Sequence, residues 1–132
     1  MAATTENRSG STYTLLRALR VTSVLAVLSV AFQFVTAGQL FPQGGPEQLH
    51  AGGAIVLHLL TGLTAVSAVL LWRRGGPPAR IPALAVVVFL LTFVQAATGG
   101  RDTLWIHVPG AMVVTVGTVW LAVWSFTPAA RR

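Results

Sequence analysis

Residues 81–98 read IPALAVVVFLLTFVQAAT and contain no charged side chain. A helix needs about 20 mostly apolar residues to cross the hydrocarbon core of a bilayer, and this run falls within the usual range. Three further runs of similar character cover residues 15–37, 50–72 and 104–126. The pattern therefore predicts four transmembrane α-helices.

The composition of the chain supports the same interpretation. Hydrophobic residues make up 54% of the 132 residues, charged residues make up only 9%, and the mean hydropathy is +0.72. A soluble domain carries charge on about a quarter of its residues. The breaks between the runs are rich in glycine and proline, which end helices. We expect an all-α integral membrane four-helix bundle over residues 15–128, with cytoplasmic tails at 1–14 and 129–132.

The arginines predict the orientation of this bundle. All nine basic residues are arginine, and only Arg101 lies on the outer side of the predicted helices. Because cytoplasmic loops carry the excess of positive charge, both termini are expected in the cytoplasm and the chain in the plasma membrane. The same excess explains the net charge of +6, and no basic face interleaved with aromatic residues indicates nucleic acid as a partner. The arginines on the inner side are Arg8, Arg17, Arg20, Arg73, Arg74, Arg80, Arg131 and Arg132.

The first apolar run has a second interpretation, as a cleaved signal sequence. An arginine-bearing start leads into an apolar run that ends in the small residues Thr36, Ala37 and Gly38, as in secretory signals. However, the run beyond Arg20 has about 17 residues, which is long for a signal sequence. We therefore expect this run to be a retained transmembrane helix.

An internal repeat relates the second predicted helix to the fourth. Residues 50–57 read HAGGAIVL and residues 107–114 read HVPGAMVV. The first and third helices are related more weakly, through QFVTAG at 33–38 and QAATGG at 95–100. We interpret this as two helical hairpins repeated in parallel about an axis along the membrane normal. The identical pairs of the second and fourth helices are His50/His107, Gly53/Gly110, Ala54/Ala111, Val56/Val113, Thr61/Thr118 and Ala65/Ala122.

This repeat places His50 and His107 at equal depth near the outer side. A pseudo-twofold axis would turn both imidazoles toward a common space, and Gly53 and Gly110 on the same helix faces leave room for a flat group or for close helix contact. Two neutral imidazoles in an apolar bundle suit the axial positions of an iron porphyrin. The chain contains no cysteine, and its membrane runs contain no carboxylate for another metal site. We expect heme b to be bound by His50 and His107; the alternative is hydrogen bonding within the helix interface.

Other polar residues have two interpretations each. Arg101 could bind a heme propionate with its planar fork of donors, or form a solvated loop pair with Asp102. His58 could be a second heme ligand, a proton-relay group or a quinone contact, but we favour a hydrogen-bonded histidine in a helix interface. Four further residues are expected to hydrogen-bond across helices, with a role at a heme edge or with a substrate as the alternative. These are Gln33, Thr36, Gln95 and Thr98.

The chain resembles one four-helix half of heme A synthase along nearly its whole length. Each half of that family carries one histidine on its second helix and one on its fourth, and the first of these lies in a Glu-x-x-His-Arg motif. Here residues 47–50 read EQLH, Ala51 replaces the arginine, and His107 matches the fourth-helix histidine. The resemblance implies axial ligation of heme by both histidines and a catalytic role for Glu47 beside the porphyrin, in oxidising its methyl group. The chain is also similar to small four-helix membrane proteins of actinobacteria with the same layout.

Three functions are compatible with these features. The preferred one is a heme protein, with bis-histidine ligation near the outer face, that transfers electrons or handles heme, alone or in a larger respiratory or assembly complex. The second is a heme-modifying enzyme, in which a homodimer of four-helix chains rebuilds the eight-helix architecture of heme A synthase. The third is a membrane subunit without a cofactor, whose small-residue helix faces pack against a partner.

Overall fold

The computed structural model describes residues 2–41 and 44–131, with side chains described from Gly10 onward. Its secondary structure is entirely helical, and no residue in the described ranges lies in a strand. Besides four long α-helices there are two short 3-10 turns, Arg101–Thr103 before the fourth α-helix and Pro128–Arg131 after it. All four helices are long and apolar enough to cross a membrane. The prediction of an all-α chain with four such helices is therefore confirmed. The helices are α1 (Ala2–Gln39), α2 (Glu47–Arg73), α3 (Arg80–Ala97) and α4 (Leu104–Phe126).

The helix bounds follow the apolar runs, with two differences at helix starts. The first helix begins at Ala2, so residues predicted as a tail continue α1, because each residue added to an existing helix gains a backbone hydrogen bond. The second helix begins at Glu47, three residues before the predicted start. Pro46 precedes it in an extended conformation, with φ −68° and ψ 94°, and a proline at this boundary loses no helical hydrogen bond. This earlier start places Glu47 in the first turn of α2.

The helices pack in the order in which they occur along the chain. Each contacts its neighbour in sequence, and α4 closes the ring by packing on α1. Short connections make consecutive helices antiparallel. As a result α2 and α4 begin at the same end of the bundle, where α1 and α3 end.

The two ends of the bundle differ in chemistry. We call the end with the starts of α2 and α4 the histidine end, because it carries His50 and His107. We call the opposite end the arginine end, because most arginines with described side chains lie there. They are Arg17, Arg20, Arg73, Arg74, Arg80 and Arg131.

The tightest part of the apolar core lies at the arginine end. One leucine or isoleucine from each helix is at most 2% exposed there, and these residues are Leu19, Leu71, Ile81 and Leu121. Buried hydroxyls occur in both halves, with Ser23 and Ser125 at 0% exposure near these residues and Thr36 and Thr92 at 2% toward the histidine end, where no described leucine or isoleucine is buried as completely. The bundle is thus held together most firmly at the end remote from the histidines.

Midway along the bundle the helices enclose a narrow space lined by small side chains. No part of it is wide enough for a water molecule. The hydroxyls that line it are satisfied within their own helices: Thr61 donates to the Leu57 carbonyl at 2.8 Å, and Thr118 donates to the Val114 carbonyl at 2.6 Å. Backbone acceptors of this kind satisfy a hydroxyl where water is absent. The lining residues are Ser23, Ala26, Thr61, Thr64, Ala85, Val88, Thr118 and Leu121.

Gly117 and Gly52 provide a matched test of this packing. A Cβ at Gly117 would lie 2.5 Å from the Val88 Cγ2 atom of α3, whereas a Cβ at exposed Gly52 would meet nothing within 4 Å. We expect Gly117→Ala to destabilise the bundle by about 1–3 kcal/mol through overpacking. Gly52→Ala should instead stabilise it by up to about 1 kcal/mol, since alanine favours a helix over glycine. Thermal unfolding in detergent measures both, and equal shifts in the two variants would contradict the close α3–α4 contact.

Candidate functional site

The two histidines of the repeat meet at the histidine end of the bundle. His50 lies near the start of α2 and His107 lies near the start of α4. Their ring centroids are 6.4 Å apart, the ring planes are inclined by 64°, and both residues are half-buried. The prediction that these two imidazoles face a common space agrees with this geometry, while ligation of heme stays a prediction.

The ring of His107 is fixed by α3. Its Nδ1 lies 3.0 Å from the backbone carbonyl oxygen of Gln95. A carbonyl oxygen can only accept a hydrogen bond, so Nδ1 carries the proton of the neutral ring. The lone pair of the neutral imidazole is therefore on Nε2, which makes no hydrogen bond in the described part of the chain.

The ring of His50 is fixed by α1 in a related way. Its Nδ1 lies 3.0 Å from the Thr36 hydroxyl, which is also 3.1 Å from the carbonyls of Phe32 and Gln33. Donation of the single hydroxyl proton to one of these carbonyls leaves the Thr36 oxygen as an acceptor for His50 Nδ1–H. Like His107, His50 thus has its lone pair on Nε2, and this nitrogen has no hydrogen bond to any described residue.

Two glutamine side chains occupy the space beside the two glycines of the repeat. A Cβ on Gly53 would collide with the Gln33 amide nitrogen, and a Cβ on Gly110 would collide with that of Gln95. The Gln33 amide also donates to the backbone carbonyl of His50 at 3.1 Å, which links α1 to α2. The carbonyl oxygen of the Gln95 side chain is buried without a hydrogen-bond partner. The glycines thus provide room beside the histidine pair, and in this structure glutamine amides lie there.

The expectation of side-chain hydrogen bonds across helices is met by Gln33 and Thr36, which bond to α2, and fails for Gln95 and Thr98. Gln95 bonds to α4 through its backbone carbonyl only, and its side-chain oxygen has no partner. Thr98 donates instead to the Val94 carbonyl of its own helix, at 2.8 Å. It follows the last residue of α3, where free carbonyls of the final turn are the nearest acceptors.

His58 lies apart from the histidine pair. It is eight residues farther along α2, or about 12 Å along the helix axis. Its Nδ1 donates to the carbonyl of Ala54 at 3.1 Å, and its ring lies edge-on to Phe93 of α3, with centroids 4.3 Å apart. This is the hydrogen-bonded interface histidine that the sequence favours.

The charged residues of the histidine end lie on its surface. Glu47, Arg101 and Asp102 are all exposed. Glu47 lies in the first turn of α2, where the helix dipole favours an anion, and its catalytic role stays a prediction. Arg101 and Asp102 form no ion pair with each other or with another described residue, so the expected solvated pair is absent from this structure. Binding of a propionate by Arg101 stays a prediction.

Two features of this site were not predicted from the sequence. One is the role of Thr36 and the Gln95 carbonyl as acceptors for the two Nδ1–H groups. The other is the filling of the glycine spaces by glutamine amides. The second had a signal in the sequence, since Gln33 and Gln95 occupy equivalent repeat positions, as do Gly53 and Gly110.

Among the side chains that the structure describes, in residues 10–41 and 44–131, no group of three or more histidine, cysteine or acidic residues is placed to hold a metal ion. Comparison of the chain with protein-family models, with curated proteins and with solved structures found no match. The functional interpretation therefore depends on the histidine pair and its surroundings.

The hydrogen bonds of the site predict the tautomers of its histidines. We expect His50, His107 and His58 all to carry the neutral proton on Nδ1, because each Nδ1 faces an oxygen acceptor. Nitrogen NMR shifts of histidine-labelled protein in micelles, recorded at a pH where the rings are neutral, distinguish the two tautomers. Single His→Gln variants assign the three signals.

The same experiment has a matched pair of variants. Thr36→Val should release His50 from the Nδ1–H form and leave the His107 signals unchanged, whereas Thr98→Val should change neither ring. A proton on Nε2 of His50 in the unmodified chain would contradict the hydrogen bond to Thr36.

Proposed function

We propose that this chain is a membrane-embedded heme protein that binds heme b through His50 and His107 near its outer face and acts in electron transfer or heme handling. The observation that carries the proposal is the pair of imidazoles with centroids 6.4 Å apart, each anchored through Nδ1. Bound there, heme b would supply one-electron redox chemistry at its iron.

The spacing of the two rings supports this proposal. The ring centroids are 6.4 Å apart, so His50 and His107 are close enough that both imidazoles would hold one iron porphyrin, for which two imidazoles supply the protein ligands.

The hydrogen bonds of the rings support it as well. A histidine that ligates a metal almost always donates its other ring N–H to a carbonyl, carboxylate or water, which fixes the ring and makes the ligating nitrogen more basic. Here Gln95 provides a carbonyl for His107, and Thr36 provides a hydroxyl for His50. Both rings thus hold a free Nε2 lone pair in a fixed orientation before any ligand binds.

The donor set suits a porphyrin better than a bare ion. A porphyrin brings four nitrogens of its own, so two neutral imidazoles complete its iron, whereas structural zinc needs four ligands and catalytic zinc three from the protein. The Gln33 amide and the edge of the Phe32 ring lie beside Gly53, and the Gln95 amide lies beside Gly110. To admit a planar guest, Gln33 would give up its hydrogen bond to the His50 carbonyl, whereas the unpaired oxygen of Gln95 would lose none.

The pairing of residues around the bundle axis supports the proposed parallel repeat. The residues that line the central space form four pairs with the spacing of the repeat alignment. A duplication of two hairpins would place equivalent residues around one axis in this way. The pairs are Ser23/Ala85, Ala26/Val88, Thr61/Thr118 and Thr64/Leu121.

The two alternative functions, a heme-modifying homodimer and a packing subunit without a cofactor, require different features of the chain. A heme-modifying homodimer needs Glu47 to act on the porphyrin, and exposed Glu47 makes no hydrogen bond to another described residue. A packing subunit without a cofactor needs no free nitrogen on either ring. Neither alternative explains why both Nε2 atoms are left without a partner.

A spectrum of the purified protein tests heme binding. Supplied with heme, the chain should show a sharp, reducible low-spin spectrum, which His50→Ala and His107→Ala each abolish because one axial nitrogen is lost. His58→Ala is the control and should keep the spectrum, since His58 bonds only within α2 and packs on Phe93. Size-exclusion chromatography confirms that each variant is folded, and a well-folded, colourless protein would favour the packing subunit.

Single cysteines test the proposed orientation in the plasma membrane. The chain contains no cysteine, so Asp102→Cys at the histidine end and Ala79→Cys at the arginine end can be labelled without interference. We expect an impermeant maleimide to label Asp102→Cys in intact cells and Ala79→Cys only after permeabilisation, because the arginine end should face the cytoplasm. The reverse pattern would overturn this orientation.

A further inference from the structure

Arg20 is the basic side chain that lies deepest among the helices of the arginine end. Of the arginines whose side chains are described at this end, it alone is half-buried rather than exposed. Its Nε donates to the backbone carbonyl of Ser125 at 2.9 Å, and its Cζ lies 5.2 Å from the centre of the Phe126 ring. Arg20 therefore joins α1 to the last turn of α4.

The hydrogen bond to Ser125 satisfies only one of the donors of the half-buried Arg20 guanidinium. The last four carbonyls of a helix have no partner within it, and a cation there is favoured by the helix dipole. However, a guanidinium has five N–H donors and is always charged. The NH2 nitrogen of Arg20 is buried and has no hydrogen-bond partner.

No acidic side chain among those the structure describes lies near Arg20 to complete its environment. The carboxylates whose side chains the structure describes are Glu47 and Asp102, and both lie at the histidine end. A charge that is withdrawn from water without a partner is unfavourable, and its donors normally bond to an anion. Among the described residues, no anion faces the buried NH2 nitrogen of Arg20.

We propose that the Arg20 guanidinium binds the phosphate of an anionic phospholipid, with the Ser125 carbonyl and Phe126 ring holding the side chain in place. This inference rests on the proposed membrane location and is independent of heme binding. Residues 21–36 of α1 carry no charge, so Arg20 lies where the apolar part of the helix begins, at the level of lipid headgroups. Arginine is suited to phosphate because its guanidinium stays charged and carries several N–H donors, and NH1 is the nitrogen of Arg20 that is neither bonded to Ser125 nor buried without a partner.

The charges around Arg20 favour an anionic headgroup over a zwitterionic one. Arg17 lies one turn earlier on α1, with its Cζ 5.9 Å from the Tyr13 ring centre, and Arg131 lies in the turn that follows α4. Both are exposed, and neither pairs with a described acidic residue. A headgroup with net negative charge is attracted by this surface, and the half-buried Arg20 gives it a defined contact.

Thermal unfolding of the full chain in a neutral detergent tests the proposal. We expect phosphatidylglycerol to raise the Tm by about 5 °C, because a ligand that binds only the folded state stabilises it. Phosphatidylcholine and inorganic phosphate should each leave the Tm unchanged. An equal shift with phosphatidylcholine, or with inorganic phosphate alone, would overturn the assignment of an anionic lipid.

Two variants, each of which removes one positive charge, distinguish a defined lipid site at Arg20 from non-specific attraction to the basic surface. Arg20→Gln should lose the shift caused by phosphatidylglycerol, while Arg17→Gln on the same helix should keep most of it. Equal losses in both variants, or a full shift in Arg20→Gln, would overturn the proposal.

If Arg20→Gln does not fold, Arg20→Lys provides the second measurement. Native mass spectrometry should then show at least a tenfold lower occupancy by phosphatidylglycerol in Arg20→Lys than in Arg17→Lys, because lysine keeps the charge but lacks the planar fork. Equal occupancy in these two variants would also count against the site.

Discussion

The histidine end depends on one type of hydrogen bond, made by the Nδ1–H of each imidazole to the helix that precedes it in the chain. His50 is held by Thr36 of α1, and His107 is held by the backbone of Gln95 in α3. These bonds fix the tautomer, direct the second nitrogen of each ring away from the anchoring helix, and join the helices of each hairpin near its loop. The spacing of the rings, and with it the proposed ligation of heme, follows from them.

The position of the histidine pair could be predicted because it depends on patterns in the sequence. The apolar runs gave the four helices, and the alignment of HAGGAIVL with HVPGAMVV placed His50 and His107 at equal depth. In a bundle of alternating helices, two histidines at the starts of α2 and α4 are brought to the same end. The apolar runs, the internal repeat and the alternating direction of the helices are sufficient to predict where the histidine pair lies.

The anchoring of the rings could not be predicted in the same way. Thr36 and Thr98 are aligned in the repeat, yet Thr36 bonds to a histidine and Thr98 bonds to its own helix. The acceptor for His107 is a backbone carbonyl, which every residue possesses and no sequence pattern marks. Likewise, the start of α2 depends on the backbone conformation at Pro46 rather than on hydropathy. Side-chain direction and local backbone geometry decide these details.

The uneven filling of the core has a consequence for how a bulky cofactor could enter. Leu19, Leu71, Ile81 and Leu121 hold all four helices together at one end, so fluctuations that separate the helices cost least at the other end, where no described leucine or isoleucine is buried as completely. Local separation of the helices at the histidine end would leave the far end packed. The planar guest of the proposal would then need only one end of the bundle to open, and the four-helix contact at the other end would persist.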